Sequence, residues 1–302
     1  MPSKVQVETG TVLIGRYKII TYSYGLCDDV FFLLNGGPGL PCDYLRDPLV
    51  AMVDKGYRVV TYDQLGCGKS DRPKDKSLWN ISRYVEEVET VRKAMGLGRV
   101  HLLGHSWGGW LGIEYALKYQ RNLRSLILSN TCGDMPHLVE ELNRHREALG
   151  AETVTMMQRC EAEGKLEYPA YKAVITLLNY RHVLRLDVWP KSVTASLDDW
   201  NAEVYGTMQG PNEFLYTGNL KDWNCIPLMP QIKTPTPIVC GQYDELTPAC
   251  SMRMHHALPN SEITVFPCSS HMPMWEEPDA YINRLTRFLA KHRVHGKRPA
   301  LD

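Results

Sequence analysis

The chain has 302 residues, with 34 Lys+Arg balanced by 34 Asp+Glu, 44% hydrophobic and 23% charged, the profile expected of a soluble globular protein. A net formal charge of zero removes the long-range field that gathers phosphate backbones or anionic lipid, so neither nucleic acid nor a membrane surface is an expected partner. The nine cysteines are odd in number and never spaced Cys-x-x-Cys, which argues against a disulfide framework or a zinc knuckle, and no apolar run approaches the ~20 residues that cross a bilayer.

In chain order, the opening stretch Met1-Pro2-Ser3-Lys4 and the Val, Gln and Glu that follow offer no apolar signal-peptide core, and a reducing cytoplasm is the expected compartment. Two segments, Val5–Ile14 and Tyr17–Tyr24, joined at Gly15-Arg16, read as a hairpin. Short apolar strands fit Val30–Leu34, Arg58–Tyr62, Val100–Leu103, Ser125–Ser129, Thr236–Cys240 and Glu262–Phe266, and their Val/Ile/Leu/Phe character suits burial on both faces. Helical periodicity marks Ile81–Met95, Trp110–Tyr119 and Ala280–Lys291. This alternation is the pattern of an α/β fold with a mostly parallel central sheet.

From Asp134 to about Asn224 the periodicity is helical only, over His137–Gly150 and Tyr171–Leu186, with Trp189-Pro190 as a break. The expectation is a helical lid (cap domain) spanning residues 134–224, set into one core made of residues 1–133 and 225–302. The basic tail Lys291–Arg298 reads as a solvated terminus.

Gly104-His105-Ser106-Trp107-Gly108-Gly109 directly follows a strand and precedes a helix, the context that a Gly-x-Ser-x-Gly elbow requires. There the serine sits on a strained turn, and the helix N-terminus and the Trp107 N–H face the charge that develops on a substrate oxygen. A nucleophilic serine needs a base and an orienting acid, and strand-end loops supply both in the chain order Ser, Asp, His. Asp244 follows the strand Thr236–Cys240, and His271 follows Glu262–Phe266. Asp134, after the strand ending at Ser129, is a rival orienting acid. In the loop after Val30–Leu34, the small residues Gly36-Gly37-Pro38-Gly39 let a backbone N–H, that of Gly37, approach the substrate oxygen opposite Trp107.

Together with that elbow, Asn35-Gly36-Gly37-Pro38-Gly39, Asp63-Gln64-Leu65-Gly66-Cys67-Gly68-Lys69-Ser70 and the run Tyr243 to Pro248 resemble the proline iminopeptidase family of α/β-hydrolases. Asp187-Val188-Trp189-Pro190 and Gly210-Pro211-Asn212-Glu213-Phe214 are also similar to that family and to its relatives, the amino-acid amidases. The resemblance spans about residues 27–290 and implies an α/β-hydrolase fold and an exopeptidase or amidase that accepts a free N-terminal amine. Glu245, beside the triad acid, and Glu213, after a turn in the lid, would then hold the substrate ammonium rather than sit solvated at the surface. Tyr205 and Trp223 are candidates for the lid wall of the same site or for lid core. One departure stands out: the family's loop usually begins with His, and here Asn35 takes its place.

The expected chemistry is acyl transfer by Ser106, His271 and Asp244, with Gly37 and Trp107 as oxyanion donors, a short peptide or small molecule as substrate, and no metal or organic cofactor. The alternative is an esterase, lactonase or amidase that acts on a non-peptide metabolite with the same triad. A non-catalytic receptor on a hydrolase fold is a rival of another class, against which the intact triad argues. Cys67 is either a thiol near the active-site mouth or a small buried hydrophobe.

Overall fold

The structure is a computed structural model that describes residues 7–293. Eight strands form one sheet in the order β1-β2-β4-β3-β5-β6-β7-β8. The hairpin β1 (Val7–Ile14) and β2 (Tyr17–Tyr24) lies at one edge and joins β4 (Arg58–Tyr62) antiparallel. The remaining neighbours, β3 (Val30–Leu34), β5 (Val100–His105), β6 (Leu123–Ser129), β7 (Thr236–Gly241) and β8 (Ser261–Phe266), pair in parallel. Residues 5 and 6 of the expected hairpin, and the tail beyond Arg293, lie outside the described residues.

Every residue of β3 and β5 is buried, as continuous apolar runs between two helical layers require. The expectation of two-sided burial fails for β8, whose residues are mostly half-buried because it is the last strand of the sheet. Polar Glu262 and Thr264 on β8 bond Arg284 instead. Lys291 and Arg293, at the start of the basic tail, are tied back as well: Arg293 donates to the Tyr57 hydroxyl, at 2.9 Å.

The helices are α1 (Asp43–Leu49), α2 (Ile81–Ala94), α3 (Trp107–Tyr119), α4 (Met135–Glu147), α5 (Ala151–Ala162), α6 (Pro169–Leu178), α7 (Lys191–Asp198), α8 (Ala202–Met208), α9 (Pro248–Ala257), α10 (Pro273–Glu276) and α11 (Pro278–Ala290). Helix α3 starts three residues before its sequence periodicity does, immediately after Ser106. Gly108 and Gly109 weaken the helical signal, but they are there for close approach: a Cβ at Gly108 would lie 2.1 Å from the Leu34 carbonyl oxygen.

Between β6 and β7 the chain is helical, α4 to α8, with a π turn at Asn179–Val183 after α6. The two ends of this segment meet: Asp134 bridges Asn224, Met135 N–H donates to Trp223 C=O at 2.9 Å, and Cys225 N–H donates to Gly133 C=O at 2.8 Å.

The order of the strands fixes where a site can form. The chain leaves β3 toward β4 on one side and leaves β5 toward β6 on the other, so the C-terminal ends of β3 and β5 flank a switch point. Ligands of open α/β sheets bind in the crevice at such a point. The loop 35–40 and the Ser106 elbow emerge there.

Candidate active site

Ser106 has φ 56° and ψ −123°, a region that non-glycine residues adopt only when their surroundings impose it. Those surroundings are visible: Ser106 N–H donates to Ser129 C=O at 3.1 Å, and Thr131 Oγ1 donates to Ser106 C=O at 2.8 Å. A Cβ on Gly104 would stand 2.1 Å from the Gly108 oxygen, so the strand-to-helix reversal closes only with glycine there.

His271 lies beside this elbow, its ring centroid 4.7 Å from that of His105. Its Nδ1 is 2.8 Å from Asp244 Oδ1. The same Asp244 oxygen accepts the Leu246 N–H at 3.0 Å, and Oδ2 accepts Asn130 Nδ2 at 2.7 Å. Burial pulls the His271 imidazole down, but the Asp244 carboxylate, with Glu213 and Glu276 farther off, outweighs it and leaves the ring more basic than an ordinary histidine. Sequence reasoning missed Asn130. The signal was present in an Asn directly after strand β6, since Asn tolerates the φ of 51° found there.

Glu245 is fully buried, and neither of its carboxylate oxygens has a hydrogen-bond partner among the described residues. Its Oε1 lies 3.6 Å from His271 Nε2. Burial first, then the charges of Glu213 and Asp244, push its carboxyl well above the usual carboxylate range. Glu213 reaches the same space from the helical segment; its Oε2 accepts Gln209 Nε2 at 2.7 Å, and that amide also meets the Tyr205 hydroxyl, at 2.5 Å. Tyr205 is buried, its phenol pushed up by burial and by Glu213. Trp223 instead packs on Trp110, with centroids 6.2 Å apart, and its indole N–H donates to Glu114 at 2.8 Å.

In the loop after β3, Leu40 N–H donates to Gly37 C=O at 2.8 Å. The Trp107 N–H belongs to the first residue of α3, where backbone donors have no partner within the helix.

A family model for the alpha/beta hydrolase fold matches residues 29–278. A proline iminopeptidase of Saccharolobus solfataricus is 40% identical over 258 residues, 85% of this chain and 83% of its own length. Among solved structures, VinJ superposes with a TM-score of 0.91 at 31% identity, over 95% of this chain and 99% of its own. The proline iminopeptidase of Mycobacterium smegmatis gives 0.88 at 31% identity, over 94% and 98%. The chain belongs to the proline iminopeptidase family of α/β-hydrolases.

As a member of that family it is a hydrolase. Asn35, which the resemblance sets where a His is expected, has a visible use. Asn35 Nδ2 donates to Leu40 C=O at 2.8 Å, closing the loop on itself, and Asn35 Oδ1 accepts Gln64 Nε2 at 3.3 Å. Gln64 in turn accepts the Trp107 indole N–H at 2.9 Å, so Asn35 ties the loop to the elbow.

The geometry bears on two sequence alternatives. Asp134 caps helix α4 by accepting the His137 N–H at 3.2 Å and pairs with Arg253 at 2.8 Å, while the acid at His271 is Asp244. Cys67 is wholly buried, donates to Gln64 C=O at 3.2 Å, and has its thiol pushed well up by burial, the environment of a small hydrophobe and not of a reactive thiol. Among the described residues no helix is long and apolar enough to cross a membrane.

Proposed function

We propose that this chain is an aminopeptidase of the proline iminopeptidase type, which releases the first residue of a short peptide, or the acyl part of an amino-acid amide, through an acyl-enzyme. The observation that carries the reading is Glu245, a buried carboxyl 3.6 Å from His271 Nε2 whose oxygens have no hydrogen-bond partner among the described residues. Leaving a buried carboxylate unpaired costs several kcal/mol by general experience, about what an ammonium ligand returns on binding. An esterase or lactonase for uncharged metabolites has no use for such a group.

In the reaction, Ser106 Oγ attacks the carbonyl carbon as His271 Nε2 takes its proton. The tetrahedral oxyanion is held by the N–H groups of Gly37 and Trp107, with the positive end of α3 behind the latter. Collapse breaks the C–N bond, and His271 gives its proton to the leaving amine. Water, deprotonated by His271, then attacks the acyl-serine; the C–O bond breaks, Ser106 regains a proton, and the free amino acid leaves. Asp244 holds the imidazole in the tautomer whose Nδ1–H it accepts.

Glu245 and Glu213 hold the substrate ammonium one carbon away from the reacting carbonyl, which limits cleavage to the first residue. The family resemblance makes proline the first acyl residue to try. Residues 134–224 act as a cap that brings Glu213 and Tyr205 over the site; the pairing of the two ends of the segment supports this division. All nine cysteines are unpaired, which agrees with a reducing, cytoplasmic compartment.

The test compares prolyl p-nitroanilide with its N-acetylated form on the wild-type and Ser106→Ala proteins. Hydrolysis of the free-amine form alone, abolished by Ser106→Ala, is expected. Equal rates on both forms would sink the amine anchor, and full activity in Ser106→Ala would sink the mechanism.

A further inference from the structure

Three residues at the site take no part in the reaction just described, yet their polar groups are all buried and all paired. Gly36 N–H lies 2.5 Å from the hydroxyl of Tyr44 in α1. That hydroxyl lies 2.8 Å from Nδ1 of His105, the residue before the nucleophile. His105 Nε2 lies 2.8 Å from the main-chain oxygen of His271.

Each donor and acceptor role follows from chemistry. A carbonyl oxygen only accepts, so His105 Nε2 carries the proton. Its Nδ1 is then a lone pair, so Tyr44 must donate to it, and the Tyr44 oxygen is left to accept the Gly36 amide. Burial first, and the neighbouring His271 second, keep His105 neutral, its pKa far below that of a free histidine. Burial likewise keeps the Tyr44 phenol protonated.

The result is one directed chain, Gly36 N–H to Tyr44 O–H to His105 to His271 C=O. It joins the loop after β3, the elbow after β5 and the loop after β8, three segments distant in sequence. A second tie parallels it: the Trp275 indole N–H, in α10, donates to Tyr44 C=O at 2.8 Å. The spacing is tight, since a Cβ on Gly36 would stand 2.7 Å from both Ser106 Cβ and the Tyr44 hydroxyl. Gly36 N–H is thereby committed to Tyr44 and Pro38 has no N–H to give, which agrees with Gly37 as the oxyanion donor.

We propose that Tyr44 and His105 are positioning residues that hold the oxyanion loop and the catalytic histidine in register with Ser106. This rests on the assignment of Ser106, His271 and Gly37 to catalysis, and it does not depend on what the enzyme cleaves. Neither residue is asked to touch the substrate. Their effect therefore falls on the transition state, where a small misplacement of donors is costly, and not on substrate affinity.

The test uses Tyr44→Phe, His105→Ala, His105→Gln and the double variant Tyr44→Phe/His105→Ala. Enzyme concentration is set by titrating Ser106 with a fluorophosphonate, so that unfolded protein is not counted. Rates are measured on prolyl p-nitroanilide and on p-nitrophenyl acetate, an ester without an amine. Tyr44→Phe should lower kcat roughly 10–100-fold on both substrates with KM within about twofold, the size of one lost buried hydrogen bond felt at the transition state. The double variant should be no worse than the poorer single one, because one chain cannot be broken twice. His105→Gln, whose amide can still donate to the His271 oxygen, should recover most of what His105→Ala loses.

Wild-type kcat in Tyr44→Phe, or losses that multiply in the double variant, would overturn the proposal. Should His105→Ala fail to fold, Tyr44→Phe and His105→Gln decide it alone. Failure of the aminopeptidase reading would show separately, as a wild-type enzyme that hydrolyses the ester but not the free-amine anilide.

Discussion

Asp244 and Glu245 are consecutive residues on one loop, and both are fully buried, yet the protein treats them in opposite ways. Asp244 accepts from His271, from the Leu246 amide and from Asn130. Glu245 accepts from nothing among the described residues. A carboxylate with three donors is finished at folding: it fixes one imidazole tautomer and has little left to offer a ligand. A carboxyl with no hydrogen bond is left unsatisfied, and burial, with the charges of Glu213 and Asp244, holds its pKa well above the usual carboxylate range. On the proposed function, one half of the site orients and the other recognises, and variants at the two positions should separate these roles.

The largest effect is expected from Asp244→Asn. An amide N–H facing His271 Nδ1 selects the wrong tautomer, so kcat should fall by about 10⁴. The loss should be the same on a free-amine anilide and on a simple ester, since both reactions need the imidazole. A loss confined to amine substrates would reverse the roles assigned to the two acids.

Glu245→Gln should cost less and cost it selectively. Removing one charge-assisted contact with the substrate ammonium should lower kcat/KM by ~10² on free-amine substrates and leave simple esters unchanged. Steady-state rates on the two substrate types, measured on one preparation, decide it. Equal losses on both would mean that Glu245 serves the triad.

The missing hydrogen bonds of Glu245 also predict a gain in stability. Glu245→Leu replaces an unpartnered buried carboxyl by an apolar side chain and should stabilise the free enzyme by about 1–3 kcal/mol while abolishing amine selection. The pH dependence has a definite sign. Because the folded-state pKa of Glu245 is raised above its ordinary 4.5, the stability linked to this group is present below that value and is lost as pH rises through the folded pKa. The advantage of Glu245→Leu should therefore widen toward higher pH, as urea unfolding at several pH values would reveal. A constant difference would mean that Glu245 keeps an ordinary pKa.

Much of this was legible in the sequence, and the limits have physical causes. The parallel strands announced themselves because strands buried on both faces are apolar throughout, and the half-exposed β8 was misjudged because an edge position is set by topology, not by composition. The elbow was readable because its glycines are demanded by backbone contacts of about 2 Å that no other residue permits. Asn130, Tyr44 and His105 were not read, because their importance lies in partners 61 to 166 residues away and no local spacing encodes such pairs. Glu245 was found through its adjacency to Asp244, but that it has no hydrogen-bond partner among the described residues is a fact of packing alone.

Asp134 is the third acid at a strand end and supplies the control for the other two. Like Asp244 it follows a parallel strand, but its oxygens are occupied by the first turn of α4 and by Arg253, whose side chain is 46% exposed. An ion pair whose cation is half in solvent adds little, whereas a lost N-cap typically costs about 1 kcal/mol, so Asp134→Ala should lower stability by about that amount. Neither kcat nor amine selection should change, because Asp134 touches no group of the site. The variant also tests the helical segment, since its two ends meet at this residue. If Asp134→Ala unfolds at lower denaturant with full activity at the assay temperature, the cap only secures the base of the segment. If kcat falls with stability unchanged, the acid at the start of α4 helps to align the triad, and the division of labour between Asp244 and Glu245 is not the whole account of how the loops are held.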